Sequence, residues 1–404
     1  MEEKKMFSRR RFMAKSAAAT AGFAIVKPSA IRGSAANSRV EVGCIGLGGR
    51  GRLIARMLGE HDGFQITAVA DYFPNVAQSI GEKFKVSESR RFSGLNGYQK
   101  LISAGVDAVF CETPPYCFPD HVTAAVNAGN HVYLAKPVAC DVPGCMAISR
   151  AGKKASKNKH VFLVDFQTRT DPFIIEAVKR THEGLIGELA MISSFYTDGG
   201  FPDPPLTDNI ESRLQRLIWV NDIAIGGGLL VNAGIHAIDV ALWIAAARPV
   251  SAMGCSRTAR LNPHGDAPDV YSLTYKFENG LILNHRGEHL RNTHGFNCTC
   301  MAFGQEGHTL TNYAGNTMIR GNKGGYRGGE VKNLYNSGIR RNLDTFHQSI
   351  VNGIYDNPTV EPSVNATLAC ILGREAAKRN KLLTWDELIR ENRKIEIDLT
   401  GLKV

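Results

Sequence analysis

The chain has 404 residues, 43% of them hydrophobic and 21% charged, a globular composition too long for one ordinary core, so two domains are expected. Its formal charge is +10, but residues 1–36 hold eight Lys/Arg against two Asp/Glu and so carry +6 of it. The remainder shows no basic stripe interleaved with aromatics, which excludes nucleic acid as a partner. Nine cysteines form no CxxC pair and no Cys/His zinc pattern, so they read as buried free thiols and no metal is expected.

Residues 1–36 are not read as fold. Ser8-Arg9-Arg10-Arg11-Phe12-Met13-Ala14-Lys15 precedes a short apolar run, Ala17 to Val26, and then small residues, Gly33-Ser34-Ala35-Ala36. A charge block, an apolar block and a small-residue site in that order resemble a twin-arginine export signal. The expectation is a periplasmic or otherwise exported protein, with the twin-arginine machinery as a partner. That route moves folded proteins, commonly with cofactor bound, so an exported cofactor enzyme must hold its cofactor tightly or regenerate it on site. No later segment is expected to approach the ~20 apolar residues of a membrane span.

Residues 37–165 alternate strand and helix. Strands are expected at 40–45, 64–70, 107–112, 131–135 and 161–166, and helices at 51–59, 74–84, 97–103, 118–128 and 142–156. Continuous apolar strands between helices imply α/β architecture with a doubly wound parallel sheet, its ligand at the carboxyl ends of the strands. The first strand closes in Gly46-Leu47-Gly48-Gly49-Arg50-Gly51, and Asp71 closes the second. In a dinucleotide loop Gly46 permits the tight turn. Gly48, with Gly49 and Arg50 after it, brings backbone N–H groups to a pyrophosphate, and Gly51 lets the helix sit close on the sheet. Asp71 would accept from a ribose diol and repel a 2′-phosphate. Tyr72 and Phe73 follow it with no arginine, so NAD is favoured over NADP. Two more strand ends carry candidates: Thr113-Pro114-Pro115 with His121 beyond, and Lys136 in Ala135-Lys136-Pro137.

Residues 166–340 read differently, as an α+β domain. Asp171 caps a helix reaching Glu183, with Pro172 in its first turn. Strands near 188–197, 250–258, 270–277, 280–288, 296–303 and 307–312 form a mostly antiparallel sheet, with a hairpin at Glu278-Asn279-Gly280. Glycine-rich 322–329 is expected to be a mobile loop. Residues 341–404 supply helices near 340–352, 363–379 and 384–391 that pack back on the core.

Several motifs are more specific than the glycine loop. They are Thr113-Pro114-Pro115 with His121, Lys136-Pro137, the stretch Phe166-Gln167-Thr168-Arg169-Thr170-Asp171-Pro172, and Gly226-Gly227-Gly228 leading to Asn232, Gly234, His236 and Asp239. With these the chain resembles the Gfo/Idh/MocA oxidoreductases over nearly its whole mature length. The resemblance implies an N-terminal Rossmann domain binding NAD(P) and a C-terminal open-faced sheet used for oligomerisation, as homodimer or homotetramer. It also implies a sugar or cyclitol bound between the domains. Two positions depart from the family pattern: Ala135 stands where Glu usually precedes the lysine, and Asn232 where Asp usually stands four residues before the histidine.

Oxidising a carbinol needs a hydride acceptor and a group to take the hydroxyl proton. His236 is the expected base, with Asn232 orienting its ring from one helical turn earlier. Lys136 is expected beside the reacting hydroxyl or the cofactor ribose, stabilising a developing alkoxide. Gln167, Arg169 and Asp239 are expected to shape the pocket or bind sugar hydroxyls. His285, His289 and His294 are given no role. Three functions are open at this stage: an exported NAD-dependent sugar oxidoreductase with tightly held cofactor, a redox-neutral glycosidase or lyase that oxidises, eliminates and returns the hydride, and a non-catalytic sugar and dinucleotide sensor.

Overall fold

Residues 40–165 build a six-stranded sheet in which every neighbouring pair runs parallel. The computed structural model describes residues 39–404 except 204, 206–209, 215–217 and 293. The leader and its export signal lie outside the described residues. The first unit reads β1 (Val40–Ile45), α1 (Gly49–Glu60), β2 (Phe64–Asp71), α2 (Pro74–Lys83), β3 (Arg91–Ser93), α3 (Gly97–Ser103), β4 (Ala108–Cys111), α4 (Phe118–Ala128), β5 (His131–Ala135), α5 (Val142–Lys157) and β6 (Phe162–Asp165). The strand order β3-β2-β1-β4-β5-β6 puts the reversal between β1 and β4, where dinucleotides bind in such sheets. β3 went unread in the sequence because it is three residues of half-buried edge, too short for a period to show.

The second unit starts with α6 (Pro172–His182), N-capped by Asp171, whose Oδ1 accepts from Phe173 N and Ile174 N. It then adds β7 (Leu189–Asp198), α7 (Ile235–Ala245), β8 (Ser251–Arg257), β9 (Val270–Lys276), β10 (Ile282–His289), β11 (Asn297–Gly304), β12 (Gly307–Asn312), β13 (Thr317–Gly321) and β14 (Gly324–Gly329). Later come α8 (Leu334–Asn352), α9 (Val360–Arg379), β15 (Leu383–Thr384) and α10 (Trp385–Glu391). The nine strands run β14-β13-β12-β11-β7-β10-β9-β8-β15, antiparallel except for β7 beside β10. Alternation divides the faces: Ile192, Leu283, Cys298 and Cys300 are buried toward the helices, while Met253 and Ile282 stand exposed on the open face.

Two expectations are corrected. Residues 322–329 are a hairpin arm rather than a loop. Their glycines admit close strand contact, since a Cβ on Gly328 would fall 2.4 Å from Thr317 O. Ile223–Ala245 is, by length and composition, apolar enough to cross a membrane, but 89% of its apolar window is buried inside the protein, so it is a core segment. Of the nine free cysteines, seven are buried, Cys117 is partly covered and Cys255 is exposed.

The C-terminal helices join the two sheets. α8 returns to the first unit, where Phe346 packs on Phe64, Phe110 and Tyr133 at ring distances of 6.3, 5.4 and 5.6 Å. α9 is buried almost all round because it lies against α5 on one side and α7 and β8 on the other. Beyond α10 the chain runs without helix back over the first unit, where Leu95 N donates to Lys403 O at 2.9 Å. Truncating Phe346 to Ala should lower folding stability by about 3–5 kcal/mol, read as a lower denaturation midpoint in urea.

Candidate active site

The glycine loop is shaped by two close approaches. Gly46 has φ +84°, and a Cβ there would lie 2.6 Å from Thr113 N. A Cβ on Gly51 would lie 1.8 Å from Gly46 O, so only glycine lets α1 start this close to the strand. α1 has Gly48 as its N-cap and no side-chain cap, which leaves its first amides for an anion. Around Gly48 and Gly49 a Cβ would meet nothing within 4 Å. At the end of β2, Asp71 accepts from Leu47 N at 2.7 Å and Phe73 N at 2.9 Å. Burial raises its carboxyl above the ordinary range, and those two amides work against the rise.

These residues open on one cavity of about 1070 Å³, lined by Gly46, Gly48, Gly49, Arg50, Asp71, Thr113, Pro114 and His121. Its volume and its cradle of bare glycine amides fit a dinucleotide. The His121 ring lies 4.2 Å from Tyr98, and its Nδ1 is 3.3 Å from Thr113 Oγ1. Burial pushes its pKa down to about 3, so it serves as a neutral hydrogen-bonding wall. Pro115 is buried and turns the chain into α4, while Gly51 packs beneath the loop; neither lines the cavity.

Arg50 lines this cavity, and its side chain has partners the sequence did not reveal. Its guanidinium turns inward, with Nε 3.1 Å from Glu112, a contact to Asp165, and an Nη1 bond of 2.8 Å to Tyr335 Oη. Glu112 and Asp165 follow β4 and end β6, on either side of Ala135 at the end of β5. The acid absent from position 135 is thus matched by one on each neighbouring strand. Burial pushes Glu112 up to about 8 despite Arg50, and its Oε1 has no hydrogen-bond partner among the described residues.

Lys136 lies next to this group, and burial with Arg50 nearby pushes it down to about 7. Its Nζ donates to Asn232 O at 2.8 Å, so the lysine of the first unit is tied to the turn that leads into His236. Asn232 lies in a wide helical turn, Leu230–Gly234, just before α7. His236 Nδ1 has no hydrogen-bond partner among the described residues, and it is the backbone carbonyl of Asn232 that accepts from Lys136. Burial, then the charges of Lys136 and Arg50, hold His236 well below the ordinary histidine value. Its ring sits among Phe166, Tyr196 and Tyr313 at 6.0, 6.5 and 5.4 Å, and half-exposed Phe296 stands edge-on to both tyrosines.

Three further candidates have partners within the protein, two of them, Gln167 and Asp239, fully buried. Asp239 is fully enclosed and held by Arg169 through bonds of 2.8 and 2.9 Å, with Arg169 also lying over Trp243. Gln167 donates to Asp165 Oδ1 at 2.8 Å and accepts from Tyr313 Oη at 3.2 Å. These contacts engage Gln167 and Asp239 within the protein. His285 pairs with Ser194, His289 with Asp198 and His294 with Glu288. Neither Lys136 nor His236 lines the large cavity; Arg50 and Glu112, which do, are the charged groups between it and Lys136. Glu112 was readable as an acid ending an apolar strand, whereas Tyr196, Phe296 and Tyr313 converge only through sheet pairing.

A dinucleotide cavity at the ends of a parallel sheet, with a lysine and a histidine meeting beside it, defines an NAD(P)-dependent oxidoreductase. Residues 40–164 match the model of the oxidoreductase family with an NAD-binding Rossmann fold, and residues 174–309 match the GFO/IDH/MocA C-terminal domain. The chain belongs to the Gfo/Idh/MocA oxidoreductase family, and its cofactor is NAD. It is 24% identical over 347 residues to the inositol 2-dehydrogenase of Rhizobium meliloti, covering 84% of this chain and 96% of that protein. The fold is shared with the aldose-aldose oxidoreductase of Caulobacter crescentus (TM-score 0.67, 21% identity, 86% of this chain and all of that one). It is shared also with a levoglucosan dehydrogenase solved with NADH (TM-score 0.69, 19% identity, 86% and 99% covered).

The two kinds of glycine should separate by experiment. Gly48→Ala should leave the melting temperature near wild type and weaken NAD binding at least tenfold by calorimetry, because its Cβ enters the cavity alone. Gly51→Ala should instead destabilise the fold by about 1–3 kcal/mol in thermal or urea unfolding.

Proposed function

We propose that this chain is an NAD-dependent dehydrogenase acting on a secondary hydroxyl of a sugar or cyclitol. The observation that carries this reading is the Lys136 Nζ to Asn232 O bond of 2.8 Å, which joins an ammonium of the nucleotide unit to the turn presenting His236. NAD supplies the hydride acceptor when bound. His236, kept neutral by burial, takes the hydroxyl proton at a ring nitrogen, and the charged form of Lys136 stabilises the oxygen as that proton leaves. Phe296, Tyr196 and Tyr313 suit the C–H face of a pyranose or cyclitol ring. The inositol dehydrogenase relative supports the same substrate class.

The reading includes export through the twin-arginine route with NAD retained, which the leader Ser8 to Lys15 motivates. It also includes a homo-oligomer paired through the open sheet face. Retained cofactor equally suits a redox-neutral cleavage of glycosides, so the two activities are measured together.

The protein is incubated with NAD and a panel of inositols and aldoses while NADH is followed, and separately with p-nitrophenyl glycosides. NADH formation on a polyol identifies the dehydrogenase. Nitrophenol release without net NADH identifies the cleavage reaction, and neither signal sinks the proposal. His236→Ala and Lys136→Ala should each lower kcat by about 10²–10⁴. Phe296→Ala should raise KM for the sugar about tenfold and leave kcat near wild type.

A further inference from the structure

The last ten residues have no role in the chemistry above, yet they reach the cofactor cavity. Ile395 N donates to Asp141 Oδ2 at 2.8 Å, beside the start of α5. At the far end Lys403 N donates to Tyr72 Oη at 3.1 Å, and Leu95 N donates to Lys403 O at 2.9 Å. Between these anchors Ile397, Leu399 and Leu402 line the cavity. Leu402 is buried in a small apolar cluster with Ile210 and Ile225, against which Tyr72, Leu95, Leu214 and Trp219 pack.

Position identifies what this cluster faces. Tyr72 follows Asp71, the acceptor for a ribose diol, and Leu95 lies just past β3 on the same side of the sheet. A group beyond that ribose, away from the glycine loop, is the base of the adenosine half. An adenine ring is flat and largely apolar on its faces, which matches walls of leucine, isoleucine and tryptophan. These backbone bonds, a further one between Ile397 and Tyr116, a surface ion pair of Lys403 with Glu211 and a few apolar side chains hold the segment, so its local opening costs less than unfolding the domain.

We propose that residues 395–404 form the outer wall of an adenosine subsite, so that bound NAD is a resident group that leaves only when this segment lets go. The proposal rests on NAD being the cofactor, and it gives the retention proposed above a physical cause.

The test uses the full chain, a variant ending at Lys394, and Leu402→Asp, which keeps the backbone anchors. Each is loaded with NADH and chased with excess NAD, and dissociation is followed by energy transfer from tryptophan, Trp219 being in the cavity wall. Both variants should release NADH about tenfold to hundredfold faster, from loss of the apolar contact. Affinity for ADP-ribose should fall in parallel, and affinity for nicotinamide mononucleotide should not change. If the shortened chain fails to fold, Leu402→Asp and Tyr72→Phe carry the test. Wild-type binding with unchanged release in the variants overturns the subsite. Absence of any NAD or NADH binding to the wild type overturns the cofactor assignment and the subsite with it.

Discussion

A charge largely withdrawn from water must be paired, and Arg50, in the wall of the cofactor cavity, meets that requirement with two acids. Its guanidinium meets Glu112 after β4, Asp165 at the end of β6 and Tyr335 on α8. Asp165 is in turn held by Gln167 and Asn342. One ion cluster therefore gathers the glycine loop, two strand ends and a helix residue 285 positions later. Burial first, and then the charge of Arg50, push Lys136 and His236 toward neutrality, and the two acids oppose this at Lys136. The glycine loop, through Arg50, thus takes part in the electrostatics around Lys136 and His236.

The site depends on parts of the chain that are far apart in order. Lys136 comes from the parallel sheet, and His236 from the helix beneath the antiparallel one. The carbonyl joining them comes from a wide turn at Leu230–Gly234. α9, packed against α5, α7 and β8, holds the two sheets in register for this contact. The final segment then closes over the nucleotide end. A rigid junction for chemistry and a lightly fastened wall for the cofactor are different mechanical demands, met by different pieces of chain.

Much of the architecture was legible because its causes are local. Apolar runs bounded by glycine, proline and acids marked β1, β2, β4, β5 and β6 within a residue or two, and Asn279-Gly280 marked the hairpin between β9 and β10. Glycine misled at 322–329, where it signals close packing of an edge hairpin, and hydropathy passed over the core segment 223–245. In the site, residue type located Asp71, Thr113, Pro114 and His121 on one cavity. It left open whether Gln167 and Asp239 shape the pocket or bind ligand, because a polar side chain near a site looks the same in sequence whether it faces ligand or another buried charge.

The sequence by itself determined the Rossmann topology and the dinucleotide loop, since spacing along the chain encodes both, and its family resemblance singled out the pair Lys136 and His236. Only the tertiary structure decided how that pair is held. It substituted carboxylates on β4 and β6 for the one missing from β5, turned Arg50 inward, enclosed Asp239 with Arg169, and brought the C-terminus over the adenosine end. The reason is physical: burial and charge pairing are properties of neighbours in space, and those neighbours come from residues with no fixed separation along the chain.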